Sequence, residues 1–218
     1  LWGFGYKNKK THSIPSSKEI NDALSLVNQK ELFELNSVNN EFYKKNKNLK
    51  LNLSSIAKGY GIDQIGNKLE KLGIRNYLIN IGGDLLAKGN NKNKKDWIIG
   101  IENPNLKEKL VKEIINVSDK GIASSGDYKN FFTKNNTKFS HIINPKTGKP
   151  IVHQTKSVTV VSYNATNADG WATALLAMGS KKGFKLAEKT GIAVLFIDEV
   201  NEKLIKIKSS EFKKLVKE

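Results

Sequence analysis

One stretch of this chain, residues 168–178, reads Ala-Asp-Gly-Trp-Ala-Thr-Ala-Leu-Leu-Ala-Met, and it constrains the fold more than any other. It has the length of a helix, it ends at Gly179, and it is small and apolar apart from Asp169 and Thr173. Those two residues are four apart, so their oxygens leave a helix on the same side. A carboxylate beside a hydroxyl outlines a hard-cation site. The alternative is an acid stabilised by the helix dipole, with the threonine bonding back to its own helix. Ala172, Ala174 and Ala177 leave room for something bulky against the backbone.

Around this helix the chain alternates helical and extended patterns without regular βαβ spacing, which predicts an α+β fold with a mostly antiparallel sheet. Ser16 and Glu19 are spaced for a capping box ahead of Ile20, Ala23, Leu24 and Val27 at helical intervals. Leu49, Leu51 and Leu53 alternate as a short strand that leads at Ser54-Ser55 into a helix closed by Gly73. Extended runs follow at 77–81, 97–101, 113–117, 140–143 and 157–162. Gly82-Gly83-Asp84 predicts a tight turn or a bulge, and 89–95 a polar hairpin loop. A second helix at 181–188, a hairpin from 193–197 and 203–207, and a short helix complete the pattern. Neither an internal repeat nor a linker divides the 218 residues, which are read as one domain.

Composition narrows the function. With 38% hydrophobic residues the chain can build a core, and no apolar run approaches the ~20 residues of a membrane helix. The lack of cysteine excludes disulfides, thiolate metal sites and cysteine nucleophiles. A net charge of +16 raises nucleic acid as a partner, yet Arg75 is the only arginine and the lysines stand among asparagines instead of aromatics. That pattern argues for a solvated lysine surface and against nucleic acid, while its positive field would still favour a polyanionic dinucleotide.

Four further places could carry chemistry. Lys58 lies in the first turns of a helix, where a cation opposes the dipole, so it either asks for an anion such as phosphate or snorkels to solvent. Gly82-Gly83 lets backbone approach a ligand closely. Ser124-Ser125-Gly126-Asp127 reads first as an Asx or ST turn and second as a phosphate or sugar contact. His141, ahead of the turn at Asn144-Pro145-Lys146-Thr147-Gly148, is either a structural histidine or a base.

Taken in order, six segments resemble the ApbE family of FAD:protein FMN transferases. They are Leu-Trp-Gly-Phe-Gly from Leu1, Ile-Ala-Lys-Gly-Tyr-Gly-Ile-Asp ending at Asp63, Gly-Gly-Asp from Gly82, and Ile-Ala-Ser-Ser-Gly-Asp-Tyr from Ile122. His-Ile-Ile-Asn-Pro-Lys-Thr-Gly-Lys-Pro from His141 and Ala-Asp-Gly-Trp-Ala-Thr-Ala-Leu from Ala168 complete the set. The resemblance implies a T-fold-like ApbE architecture that binds FAD with Mg²⁺ and transfers FMN to a threonine or serine hydroxyl of an acceptor flavoprotein, releasing AMP.

The same resemblance implies metal positions at Asp169, Thr173 and the main-chain carbonyl of Ser55. It implies flavin-nucleotide contacts at Asn52, Ser55, Lys58, Gly82, Gly83, Ser125 and Ile143, with catalytic roles for Asp169 and His141, the latter as general base. Asn52 stands where family members commonly carry aspartate, which keeps hydrogen bonding and loses a charge. The chain opens inside its first family motif, so an N-terminal region that completes the flavin pocket is expected to precede it. Such a region would carry a signal sequence or lipid-modified cysteine, and with it the periplasmic or extracytoplasmic, membrane-anchored location that the resemblance implies. The rival readings are hydrolysis of FAD to FMN and AMP, and FAD binding without turnover.

Overall fold

The computed structural model describes residues 1–4, 14–27, 29–102, 104, 111–128 and 130–216. Gly5 of the first motif lies outside the described residues. In chain order the elements are α1 (Ser17–Leu24), α2 (Gln29–Leu32), β1 (Phe33–Asn36), β2 (Glu41–Lys44), α3 (Ala57–Lys71), β3 (Tyr77–Ile81) and β4 (Asp84–Lys88). Then come β5 (Trp97–Glu102), β6 (Val111–Val117), β7 (Lys120–Gly126), β8 (Phe131–Lys134), β9 (Thr137–Ser140) and β10 (Thr155–Ser162). The chain closes with α4 (Ala165–Met178), α5 (Ser180–Thr190), β11 (Ala193–Val200), β12 (Lys203–Lys208) and α6 (Ser210–Lys213). Among the described residues no helix is long and apolar enough to cross a membrane.

These elements form two compact units with interleaved chain segments, residues 1–52 with 130–152 and residues 53–129 with 153–218. The first unit holds the hairpins β1–β2 and β8–β9 and the helix α1. Ser16 and Glu19 cap α1 reciprocally, as their spacing predicts, but the helix ends at Leu24, before Val27. Its core gathers Trp2, Ile20 and Phe132, with Phe4, Leu24, Phe139 and Ile143 packed against them. The Trp2 indole N–H, buried with its ring, donates to the Gly148 carbonyl at 2.8 Å.

The second unit is built on a six-stranded antiparallel sheet in the order β12-β11-β10-β7-β4-β3. Side-chain alternation separates its faces. Leu85, Ala87, Ile122, Val161, Leu195 and Ile197 point to one side and pack with Ile99, Ile101, Ile115 and Val117 of the β5–β6 ribbon and Phe212 of α6. Leu86 points to the other, where it meets Ile62 of α3, Ala165 of α4 and Tyr77. The sheet is thus covered by a ribbon on one face and helices on the other, the antiparallel α+β arrangement the pattern predicts.

The structure corrects several local expectations. Residues 49–53 form no strand; Leu51 and Leu53 are exposed, so their alternation has no sheet to join. Ser124 and Ser125 lie inside β7 and not in a turn, because β7 is held between β10 and β4. The 89–95 loop is not a hairpin connection, since β5 pairs with β6 and not with β4. The strand expected at 140–143 ends at Ser140.

Glu113 ties the ribbon to the sheet edge, with its carboxylate 2.7 Å from Lys208 Nζ and 3.1 Å from Lys206 Nζ. Burial pushes this carboxyl up, but the hydrogen bonds from Lys208 and Lys206 outweigh it and hold it below the usual carboxylate range. A depressed folded-state pKa stabilises fully above the unfolded value and is lost as pH falls through the folded one. Glu113→Gln is therefore expected to lower stability by about 1 kcal/mol at pH 7. Urea titrations at a series of pH values should show the gap from the parent closing as pH falls below the ordinary carboxylate range and the parent carboxylate takes up its proton.

Candidate active site

The sequence places two helix starts against each other. α3 begins after a turn at 54–56 with Ile56 at its N-cap and no side-chain cap of its own. Its third N–H, that of Gly59, donates instead to Asp169 Oδ2 on α4 at 3.1 Å. α4 has its own N-cap in Asn164, whose side chain accepts from Asn167 N–H. Asp63 of α3 then accepts from the N–H groups of Ala165 and Thr166, each at 2.9 Å, and from the Thr166 hydroxyl. Each helix thus caps the other with a carboxylate, satisfying donors that a helix N-terminus leaves open.

This exchange requires close approach. A Cβ at Gly59 would sit 2.3 Å from the Ala165 carbonyl oxygen, and one at Gly121 2.2 Å from the Asn164 carbonyl carbon. The small residues of α4 have the same cause: Ala165, Ala168 and Ala172 are fully buried where the helix meets α3, β7 and β10.

Asp169 is 4% exposed and Asp84, which opens β4, 1%. Burial raises the Asp169 pKa, the Gly59 N–H lowers it, the Asp84 charge raises it and Lys58 lowers it, with a net rise. Lys58 Nζ lies 2.7 Å from Asp84 Oδ2, so the anion its position asks for is supplied within the chain. Asp84 Oδ1 receives the Ser124 N–H at 3.5 Å. One turn along α4, the Thr173 hydroxyl meets that of Ser125 at 3.2 Å, bonding across to β7 and not back to its own helix.

Between β3 and β4 the loop is Gly82-Gly83 alone, with φ of 59° and 94° and the Gly83 N–H held by Asn80 Oδ1 at 3.1 Å. Two consecutive positive φ values make this the expected tight hairpin turn. It flanks a cavity of about 340 Å³ on the ribbon side of the sheet, lined in part by Leu85, Ile101, Ser124 and Tyr128.

Asp169, Thr173, Ser125, Lys58, Ser55, Gly82 and Gly83 all belong to the second unit, and the first five surround or adjoin the start of α3 or the middle of α4. Asn52, His141 and Ile143 belong to the first unit. There the His141 Nδ1 pairs with the Asn130 carbonyl at 2.8 Å, which makes Nε2 the basic nitrogen of the neutral ring. Ile143 forms an isolated bridge with Pro150.

Sequence reasoning missed Asp84 and Asp63 as members of the site. Asp84 reads as a turn residue after two glycines; the available signal was a carboxylate directly before the apolar run Leu85-Leu86-Ala87. Asp63 gives no such signal, because its targets lie 102 and 103 residues away.

The available ligands are carboxylates and hydroxyls, which suit a hard cation and not a softer metal. The described residues contain no cluster of three acidic or histidine side chains. The set fits an ion that takes one or two protein carboxylates and completes its shell with water and phosphate oxygens. The raised Asp169 pKa, set first by burial and then by the Asp84 charge, fits as well, since a cation there would offset both.

The ApbE family model matches residues 1–196. The FAD:protein FMN transferase of Haemophilus influenzae is 38% identical over 224 residues, covering 99% of this chain and 62% of its own length. That of Vibrio cholerae is 38% identical over 214 residues, covering 98% of this chain and 63% of its own. Among solved structures, the flavin transferase ApbE from Vibrio cholerae superposes with a TM-score of 0.84 at 36% identity, covering 99% of this chain and 67% of that one. The apo form of Pseudomonas stutzeri flavinyl transferase ApbE gives 0.86 at 31% identity, covering 99% and 66%. The chain spans somewhat under two thirds of the length of these two curated relatives. On this agreement of sequence and fold, the chain belongs to the ApbE family.

Proposed function

We propose that the protein transfers the FMN part of FAD to a threonine or serine hydroxyl of an acceptor flavoprotein, with Mg²⁺ at the site and AMP released. The observation that carries this reading is the gathering of buried Asp169 and Asp84 with Lys58, Thr173 and Ser125 around the start of α3, in a chain whose relatives are named FAD:protein FMN transferases. The acceptor oxygen bonds to the FMN-side phosphorus, the bond from that phosphorus to the bridging oxygen breaks, and AMP leaves with the bridging oxygen. Such displacement needs alignment and charge neutralisation more than a strong nucleophile. Bound Mg²⁺ would supply the neutralisation as a Lewis acid.

Asp169 and Thr173, with the Ser55 carbonyl, would hold the ion, and Asp84 holds the Lys58 ammonium at the same place. Gly82 and Gly83 let main chain approach the dinucleotide without side chains in the way, and Ser125 braces Thr173. Asn52 and Ile143 are assigned to FAD on the family resemblance. His141, basic at Nε2, takes the acceptor hydroxyl proton. The extracytoplasmic, membrane-anchored location is part of the same proposal.

Incubating the full-length protein with FAD, Mg²⁺ and candidate flavoprotein subunits should give a fluorescent covalent band on a denaturing gel together with AMP. EDTA should abolish both and Mg²⁺ restore them. His141→Ala should slow transfer by about 10²–10⁴-fold with FAD still bound. FMN accumulating without a labelled band would replace the transferase by the hydrolase, and FAD binding without AMP would leave a binding module.

A further inference from the structure

A site that holds a pyrophosphate should offer it positive charge, yet the two positive features at the start of α3 are both covered. A helix N-terminus is a natural anion seat, with free N–H groups and the positive end of the dipole. Here the Gly59 N–H is taken by Asp169 Oδ2 at 3.1 Å. The ammonium of Lys58, one residue earlier, is taken by Asp84 Oδ2 at 2.7 Å. Asp84 is 1% exposed, and among the described residues Lys58 is the only group that meets its Oδ2. A carboxylate so buried holds its counter-ion firmly, because leaving it unpaired costs far more than leaving a surface charge unpaired. The Lys58 side chain is itself 45% exposed, so a ligand can reach it.

Two buried carboxylates against one ammonium leave a negative charge over. The chain as a whole carries +16, a field that draws in any polyanion, whereas this one place repels it. We propose that Asp84 masks Lys58 in the cation-free protein and that a divalent cation beside the carboxylates lifts the mask, so the ammonium serves the FAD pyrophosphate only once the cation is there. Asp84 is thus the residue that makes dinucleotide binding conditional on the metal. It also keeps the site closed to phosphates and nucleotides that arrive without one. The inference rests on the flavin-transfer reading, and it adds the order in which that reaction's components enter.

FAD binding, followed without any acceptor by quenching of flavin fluorescence, tests it in the full-length protein. Asp84→Asn keeps the volume of the side chain and an oxygen for the Ser124 N–H but loses the charge. In EDTA this variant is expected to bind FAD about tenfold tighter than the parent, and in saturating Mg²⁺ to stay within about twofold of it. Adding Lys58→Met to it should return the EDTA affinity to that of the parent and weaken binding about tenfold in Mg²⁺. A tightening in EDTA that survives Lys58→Met, or no tightening in Asp84→Asn, overturns the masking. So does a double variant that matches the parent in saturating Mg²⁺, because the pair would then cancel under all conditions. Should Asp84→Asn fail to fold, labelling of Lys58 in the parent by an amine reagent decides. It should quicken with Mg²⁺ alone and slow again when FAD joins, and a rate indifferent to Mg²⁺ sinks the proposal. A parent that binds no FAD in Mg²⁺ sinks the flavin-transfer reading itself, whereas Mg²⁺-dependent binding that Asp84→Asn leaves untouched sinks only the mask.

Discussion

An Asp169→Asn variant is expected to keep its fold and lose flavin transfer by about 10³-fold. The two outcomes separate because Asp169 has two tasks. Its Oδ2 caps α3 through the Gly59 N–H, and an asparagine carbonyl can accept that bond equally well. Its charge serves the proposed cation, and losing a carboxylate ligand removes several kcal/mol of electrostatic stabilisation at a displacement on phosphorus, about 4 kcal/mol for 10³-fold. Asp169→Ala removes the cap as well, leaving a buried N–H unsatisfied at a cost of about 1–3 kcal/mol. Single-turnover transfer beside thermal melts of both variants resolves the two tasks. If Asp169→Asn melted as low as Asp169→Ala, or transferred flavin at the parental rate, this division would be wrong.

The second large effect is on stability. Gly59→Ala is expected to destabilise the protein by about 3 kcal/mol or more, a fall in Tm of roughly 6–12 °C. The added Cβ would meet the Ala165 carbonyl oxygen at 2.3 Å, its carbon at 2.6 Å and Thr166 Cα at 2.7 Å. All three are backbone atoms, so no side chain can rotate away, and α3 must move off α4 and pull its N–H from Asp169. Gly61 in the same helix is the control, since nothing lies within 4 Å of its built Cβ. Gly61→Ala should stabilise slightly, by about 0.5–1 kcal/mol, through helix propensity. Scanning calorimetry of the pair distinguishes close approach from a general dislike of change in this helix.

The sequence is legible where local rules act alone. The Ser16–Glu19 box, the glycine turn at 82–83 and the helix ends at Gly73 and Gly179 all follow from chemistry within a few residues. It is illegible where burial replaces pattern. β4 is buried at Asp84, Leu85, Leu86 and Ala87 in succession, so it has no alternation to read. Five of the seven residues of β7 are glycine, alanine or serine, a composition that reads as a turn, and at Gly121 the start of α4 lies too close for any side chain. At the site the same division holds. The spacing of Asp169 and Thr173 marks one wall, but the partners that give those residues their geometry lie 110 and 48 positions away in the chain.

The interleaved segments have a consequence for inheritance and for engineering. Residues 1–52 and 130–152 build one unit, residues 53–129 and 153–218 the other, so the polypeptide crosses between them three times. No single cut, fusion or recombination breakpoint can separate the units. The second segment of the first unit, 130–152, is inserted between β7 and β10, antiparallel neighbours that pair at Gly126↔Ser157, so the chain leaves and re-enters the second unit at one end of that strand pair. No single breakpoint exchanges the whole unit that carries His141 without taking part of the unit that carries Asp169.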